Sequence, residues 1–112
     1  MSRQTTTVRG EFRAERIDDS LAAIEDPRRR IVLTELIHHY HPRPIYDLVE
    51  RLLDREEFAG AERETLRSDL RGEVLPRMRE AELIETVEGG RFAPTRLGIA
   101  VENTRRGLPP VE

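Results

Sequence analysis

Apolar residues recur at helical intervals in the first part of the chain. Between residues 17 and 24 they lie three or four positions apart, and after Asp26-Pro27 a second such stretch runs to about residue 40. Aspartate followed by proline suits a helix start, because the carboxylate accepts amide hydrogens that the first turn leaves unpaired and proline has no amide hydrogen to lose. The pattern predicts a short first helix and a second helix that the segment His41-Pro42-Arg43-Pro44 ends.

Two further helices are predicted before the pattern changes. Apolar residues at positions 45, 48, 49, 52 and 53 lie on one face of a third helix. After Phe58-Ala59-Gly60, apolar residues recur every four positions from Leu66 to Met78, which predicts a long fourth helix over about residues 61–81. Pro76 lies inside this helix and crowds the carbonyl of Gly72, so we expect a kink or a break near residues 72–75.

The hydrophobic period then becomes strand-like. The segments Leu83 to Val87 and Arg91 to Thr95 predict two strands, joined by a tight turn at Glu88-Gly89-Gly90. Thr95 is a suitable cap for a last helix over about residues 96–104. Because residues 1–16 lack a sustained period and residues 107–112 are rich in glycine and proline, we expect a flexible arm and a flexible tail around one domain at residues 17–106.

This order of elements predicts a mainly α fold with a small β-hairpin, of the winged helix-turn-helix class. In that fold the long helix buries its apolar side and fits its polar side into the major groove of DNA. The hairpin, or wing, at about residues 83–95 extends toward the neighbouring minor groove. The arrangement therefore predicts binding to double-stranded DNA.

Three segments resemble known winged-helix proteins. Residues 21–33, LAAIEDPRRRIVL, look like the LADPxRRxIL opening of ArsR-like winged-helix repressors. Residues 74–85, VLPRMREAELIE, resemble the LPxLxxAGLVE segment between recognition helix and wing in haloarchaeal winged-helix domains of unknown function. Residues 92–98, FAPTRLG, are similar to the LTxxG exit from the wing of several repressors. The resemblance covers roughly residues 17–104 and implies a DNA-binding transcription regulator.

The chain departs from the resemblance at two points. Glu82 stands where the related proteins have glycine between helix and wing, which bears on the geometry of that turn. The chain has no cysteine, so the metal-sensing motifs of ArsR-like repressors are absent and a metal-sensor role is not implied.

Composition limits the other classes of function. The 112 residues suit one domain, and 37% hydrophobic with 37% charged residues suit a folded, soluble chain. No apolar run approaches the ~20 residues that cross a bilayer, so we expect a cytoplasmic protein with no membrane contact. The net charge of -3 gives no global basic excess, so DNA contact requires a local basic patch. All 19 basic residues are arginine, which fits either a GC-rich genome or a salt-loving host.

The candidate DNA contacts on the long helix are three arginines spaced by four residues, Arg63, Arg67 and Arg71, with Ser68 beside them. Guanidinium groups bind phosphates and guanine edges, and only Glu64 stands three or four positions from any of these arginines. The alternative is a solvated charged face. An acidic row at Asp69, Glu73 and Glu80 would repel phosphates and must therefore face away from DNA.

Other candidate sites are weaker. Arg91 and Arg96 are candidate wing contacts, although Glu88 at the turn opposes them. Arg28 to Arg30 lie in the first turns of the second helix, where a structural role is favoured over anchoring phosphate. Surface positions are favoured for His38, His39 and His41 over a metal site with Glu35. Because no catalytic motif occurs, we expect no enzyme activity, cofactor, metal or small-molecule substrate.

The leading hypothesis is a homodimer on a palindromic DNA site. Leu21, Ile24, Leu97 and Val101, on the first and last helices, are the predicted dimer contacts. The alternative hypothesis, motivated by the negative charge and the acidic row, is a winged-helix module that binds proteins and not DNA.

Overall fold

A computed structural model describes residues 14–38 and 41–107 of the chain. The first helix begins at Ala14, inside the segment predicted to be a flexible arm. The rest of that arm, residues 1–13, lies outside the described residues, as do His39, Tyr40 and residues 108–112 of the predicted tail. Over the described ranges, none of the helices has the length and apolarity of a membrane-spanning segment.

The predicted fold class is confirmed: the described residues are mainly α-helical, with one antiparallel hairpin. The helices are α1 at Ala14–Ala23, α2 at Pro27–Ile37, α3 at Ile45–Leu53, α4 at Arg63–Asp69, α5 at Leu75–Glu80 and α6 at Arg96–Arg105. The strands are β1 at Ile84–Val87 and β2 at Arg91–Pro94. A 3-10 turn, Glu56–Phe58, follows α3, and a π-helical segment, Leu70–Val74, joins α4 directly to α5. Residues 63–80 are called the long helix below.

The start of α2 has the predicted geometry. Asp26 is extended, and its carboxylate accepts the backbone N–H of Arg28 at 2.8 Å while Pro27 occupies the first turn. The cap satisfies an amide that the first helical turn leaves without a partner. The local sequence is therefore enough to place this helix end.

The long helix adopts the wider π-helical geometry over one turn, at the place where a kink or a break was expected. The N–H of Leu75 bonds to the carbonyl of Leu70, a π-helical spacing, and the helix stays continuous past Pro76. An α-helix turns about 100° per residue, so a strict four-residue repeat drifts about 40° at each step. The wider turn takes up this drift, and Leu66 and Met78, at the two ends of the repeat, are both buried.

The junction between the long helix and the hairpin is a complete Schellman motif. The N–H of Leu83 bonds to the carbonyl of Met78 at 3.0 Å, and the N–H of Glu82 bonds to that of Arg79 at 2.9 Å. The backbone of Glu82 has the left-handed conformation, with φ of 62°. A side chain with a Cβ disfavours this conformation, which glycine adopts readily, so the turn holds Glu82 in a strained backbone.

The hairpin is held at its base by α6. The Thr95 hydroxyl accepts the N–H of Gly98 at 3.0 Å and donates to the carbonyl of Glu82 at 2.6 Å. The Thr95 N–H bonds to the carbonyl of Leu83 at 3.0 Å. This close approach requires glycine, because a Cβ on Gly98 would lie 3.1 Å from the carbonyl carbon of Leu83 and closer still to its oxygen.

The predicted strands and turn are confirmed, with Val87 paired to Arg91 across Glu88-Gly89-Gly90. Both glycines of this turn have positive φ, which explains the residue type. One pairing was not predicted: Arg43 bridges Phe92 of β2 through bonds of 2.9 and 2.7 Å. The proline-flanked segment between α2 and α3 therefore extends the sheet beside β2.

The core lies between the helices and the base of the hairpin. It includes these buried side chains: Ile24, Val32, Leu33, Leu36, Leu48, Val49, Leu52, Leu66, Leu70, Val74, Leu75, Met78, Leu83, Ile84, Leu97 and Val101.

Three of the four predicted dimer contacts were assigned wrongly. Ile24, Leu97 and Val101 are at most 3% exposed, because α1 and α6 pack against each other within the domain. Side chains buried in the chain's own core are not available to a partner. Leu21 is half-buried and packs against the same core.

Candidate nucleic-acid interface

The candidate interface is the exposed side of the long helix, from α4 into the π-helical segment. The helix follows α3 after a turn that contains the 3-10 segment, and Leu66 anchors its opposite side in the core. Arg63, Arg67, Ser68 and Arg71 are all exposed, as the sequence predicts for a helix with one apolar side. The three arginines differ in the partners that they find.

Arg63 is bound by a carboxylate of a neighbouring helix. Its Nε donates to Oε2 of Glu50 at 2.5 Å and its Nη2 donates to Oε1 at 2.9 Å. The hydrogen bond from Arg63 lowers the pKa of Glu50. Sequence spacing gave no signal for this pair, because Glu50 lies on α3 and thirteen positions away.

Arg67 and Arg71 are less tightly paired with carboxylates than Arg63 is. Arg67 lies 3.8 Å from the carboxylate of Glu64, beyond ordinary hydrogen-bond distance, and its side chain is 44% exposed. In the described part of the chain Arg71 has no ion pair or side-chain hydrogen bond, and Ser68 lies exposed between the two arginines in sequence. The part of the row nearest the π-helical segment is therefore the most available to an anion.

Asp69 and Glu73 of the acidic row lie toward α2, on another side of the long helix. Arg28 Nη1 bonds to Asp69 at 2.6 Å, and Nη2 lies 3.6 Å from Glu73. Asp26 belongs to the same cluster, because its Oδ2 lies 3.0 Å from Arg28 Nη2. The prediction that Asp69 and Glu73 face away from the arginine row is thus confirmed. Glu80, the third member of that row, is exposed at the end of α5.

The same cluster assigns a structural role to Arg28, as favoured from the sequence. Its side-chain hydrogen bond, more than any other influence, lowers the pKa of Asp26 from 3.8 to about 2. Hydrogen bonds to Asp26 and Asp69 raise the pKa of Arg28. Arg29 lies 3.5 Å from Asp26, and Arg30 donates to the carbonyl of Ile24 at 3.2 Å. These arginines hold α2 against its own start and against the long helix.

The two candidate wing arginines do not lie together. Arg91 folds back over the turn, where its Nε donates to the carbonyl of Glu88 at 2.9 Å. Arg96 is the first residue of α6 and therefore lies beyond Pro94, at the base of the hairpin. The hairpin tip thus presents Glu88 together with Arg91, whose terminal nitrogens stay outside that hydrogen bond.

The histidine segment gives no ligand cluster within the described ranges. His38 and His41 are both exposed, and Glu35 is bound to Arg55 of the turn after α3 at 2.9 Å. His39 lies outside the described residues. Over those residues, no group of three histidine, aspartate or glutamate side chains is placed to hold a metal ion.

An open recess of about 600 Å³ lies where α1 meets the end of α5. Its lining includes the acidic residues Asp19, Glu80 and Glu82. Carboxylates repel anions, so this recess is chemically opposite to the arginine row.

Comparison of the chain with family models, curated proteins and solved structures finds no match. The geometry of the described residues is therefore the ground for any functional assignment.

Proposed function

We propose that this protein binds double-stranded DNA, with the arginine side of the long helix, from α4 into the π-helical segment, in the major groove and the hairpin beside it. The observation that carries the proposal is Arg71. It is exposed and without an ion pair in the described residues, next to the loosely held Arg67. Arginine contacts phosphates and guanine edges through the same planar group, so an unpaired arginine on an exposed helix side suits DNA.

The charge distribution supports the proposal despite the net charge of -3. Asp69 and Glu73, on the same long helix, are held by Arg28 on the side toward α2. A phosphate that approaches Arg67 and Arg71 therefore meets the arginine side of the helix. The resemblance to ArsR-like repressors points the same way and suggests a transcription regulator of the cytoplasm.

Fluorescence anisotropy with duplex fragments of mixed sequence tests the proposal over a series of salt concentrations. Each phosphate that the protein neutralises contributes about 0.9 log units of affinity per log unit of salt. If Arg71 contacts a phosphate, Arg71→Ala weakens binding and reduces this slope by about 0.9.

A matched control removes an arginine elsewhere. Arg106, at the end of α6, is exposed and has no ion pair among the described residues, so Arg106→Ala makes the same change in net charge. We expect Arg106→Ala to bind duplex DNA with nearly the wild-type slope. Equal effects of the two substitutions would mean that the arginine side of the long helix is not the DNA contact.

One observation favours the second candidate, a protein-binding module. Tyr46 on α3 is 71% exposed, and exposed aromatic residues are typical of protein interfaces. This candidate predicts no retention of duplex DNA even at low salt, so the same titration separates the two functions.

A further inference from the structure

The pair between Glu50 and Arg63 occupies a guanidinium group on the proposed DNA surface. Two adjacent nitrogens of Arg63 donate to the two oxygens of one carboxylate, and both side chains are more than half exposed. A phosphate binds arginine with the same two-pronged geometry. Arg63 therefore cannot offer this pair of nitrogens to phosphate while Glu50 holds them.

We propose that Glu50 competes with the DNA backbone for Arg63 and so limits the affinity of this surface. The inference rests on the proposed function and adds a residue of α3 to it. Arg63 is paired with Glu50 through two hydrogen bonds, Arg67 lies 3.8 Å from its carboxylate neighbour, and Arg71 has no ion pair in the described residues. The row thus offers its arginines to phosphate unequally.

The ion pair between Glu50 and Arg63 is weak, so little free energy is needed to separate the two side chains. Exposed ion pairs favour the paired state by a factor of about five at most, because water screens the charges and ordering two long side chains costs entropy. In the wild-type protein Arg63 therefore stays mainly with Glu50, and removing the charge of Glu50 is enough to release the arginine to a phosphate. Burial of the pair would have made it permanent, and Glu50 and Arg63 are both exposed.

The test substitutes Glu50→Gln, which keeps the shape of the side chain and removes its charge. We expect duplex DNA to bind up to about fivefold more tightly at low salt. Because Arg63 then reaches a phosphate, the salt slope should steepen by about 0.9. The wild-type protein and the variant are compared by anisotropy with the same mixed-sequence duplex.

Two controls separate this competition from a general loss of negative charge. Glu56 in the 3-10 turn is exposed and has no ion pair within the described ranges, so Glu56→Gln should leave the slope unchanged. Glu50→Gln added to Arg63→Ala should also leave the slope unchanged, because the arginine that would gain a phosphate is gone. Thermal melts confirm that each variant is folded.

The outcomes distinguish this inference from the function on which it rests. If the wild-type protein binds duplex DNA but Glu50→Gln does not steepen the slope, the competition is wrong and the DNA function stands. The same holds if the slope steepens equally in the Arg63→Ala background or in Glu56→Gln. If no variant binds duplex DNA at low salt, the proposed function fails and the inference fails with it.

Discussion

Gly98→Ala adds one methyl group where α6 meets the start of the hairpin. The new Cβ would lie 3.1 Å from the carbonyl carbon of Leu83, nearer still to its oxygen, and 3.3 Å from Cδ1 of Leu33. The oxygen belongs to the backbone and accepts the N–H of Thr95 at 3.0 Å. The clash therefore cannot be relieved by rotating a side chain, and α6 must move away from the hairpin.

The magnitude follows from what that movement costs. Overpacking of a core position costs about 1–3 kcal/mol. Weakening of the bond from Thr95 to Leu83 costs about 1 kcal/mol more. In the other direction, the substitution stabilises the helix by at most about 1 kcal/mol, because alanine has a higher helix propensity than glycine. With that gain taken in full, we expect the free energy of unfolding to fall by about 1–3 kcal/mol, which lowers the Tm of a domain of this size by about 5–20 °C.

Urea denaturation followed by circular dichroism measures the change, and Gly72→Ala is the matched control. Gly72 lies in the π-helical segment, where an added Cβ would meet nothing within 4 Å. The same substitution there should stabilise the protein by about 0.5–1 kcal/mol. The same chemical change is thus expected to lower the free energy of unfolding at position 98 and to raise it at position 72.

The reasoning is refuted if the urea midpoint and slope of Gly98→Ala equal those of the wild-type protein, because the two proteins are then equally stable. That result would mean that α6 does not approach Leu83 as closely as described. A loss of stability in Gly72→Ala would contradict the second half of the argument, because nothing in the described structure crowds that position.

Two further predictions concern stability. Glu82→Gly should be about 1 kcal/mol more stable in urea than Glu82→Ala, because both lack the carboxylate and only alanine carries the cost of the left-handed backbone; equal stabilities would exclude strain at this turn. The pKa of Asp26 is lowered from 3.8 to about 2, so its carboxylate adds stability that is present above pH 3.8 and lost as the pH falls through about 2. The stability difference between the wild-type protein and Asp26→Asn, measured by thermal melts, should therefore shrink between pH 4 and 2, and a constant difference would contradict this.

Local signals were sufficient for the order of the elements. Asp26-Pro27 starts α2 because a cap needs only its own side chain and the next turn. The two glycines after Glu88 give the hairpin because their backbone alone permits positive φ. The four-residue repeat showed which side of the long helix is buried, although it did not show that a π-turn would keep that side aligned.

Contacts between distant residues decided the rest of the candidate site. Periodicity marks an apolar face but not the element that covers it, which is why Val101 and its neighbours were predicted to contact a second subunit and instead fill the domain's own core. The partners of Arg28 and Arg63 come from other helices, 41 and 13 positions away, so spacing along one helix cannot find them. The sequence by itself determined the helices, the hairpin and the arginine row, because these depend on neighbouring residues. Only the tertiary structure decided which arginines are held by carboxylates and which are open, because that depends on how the helices pack.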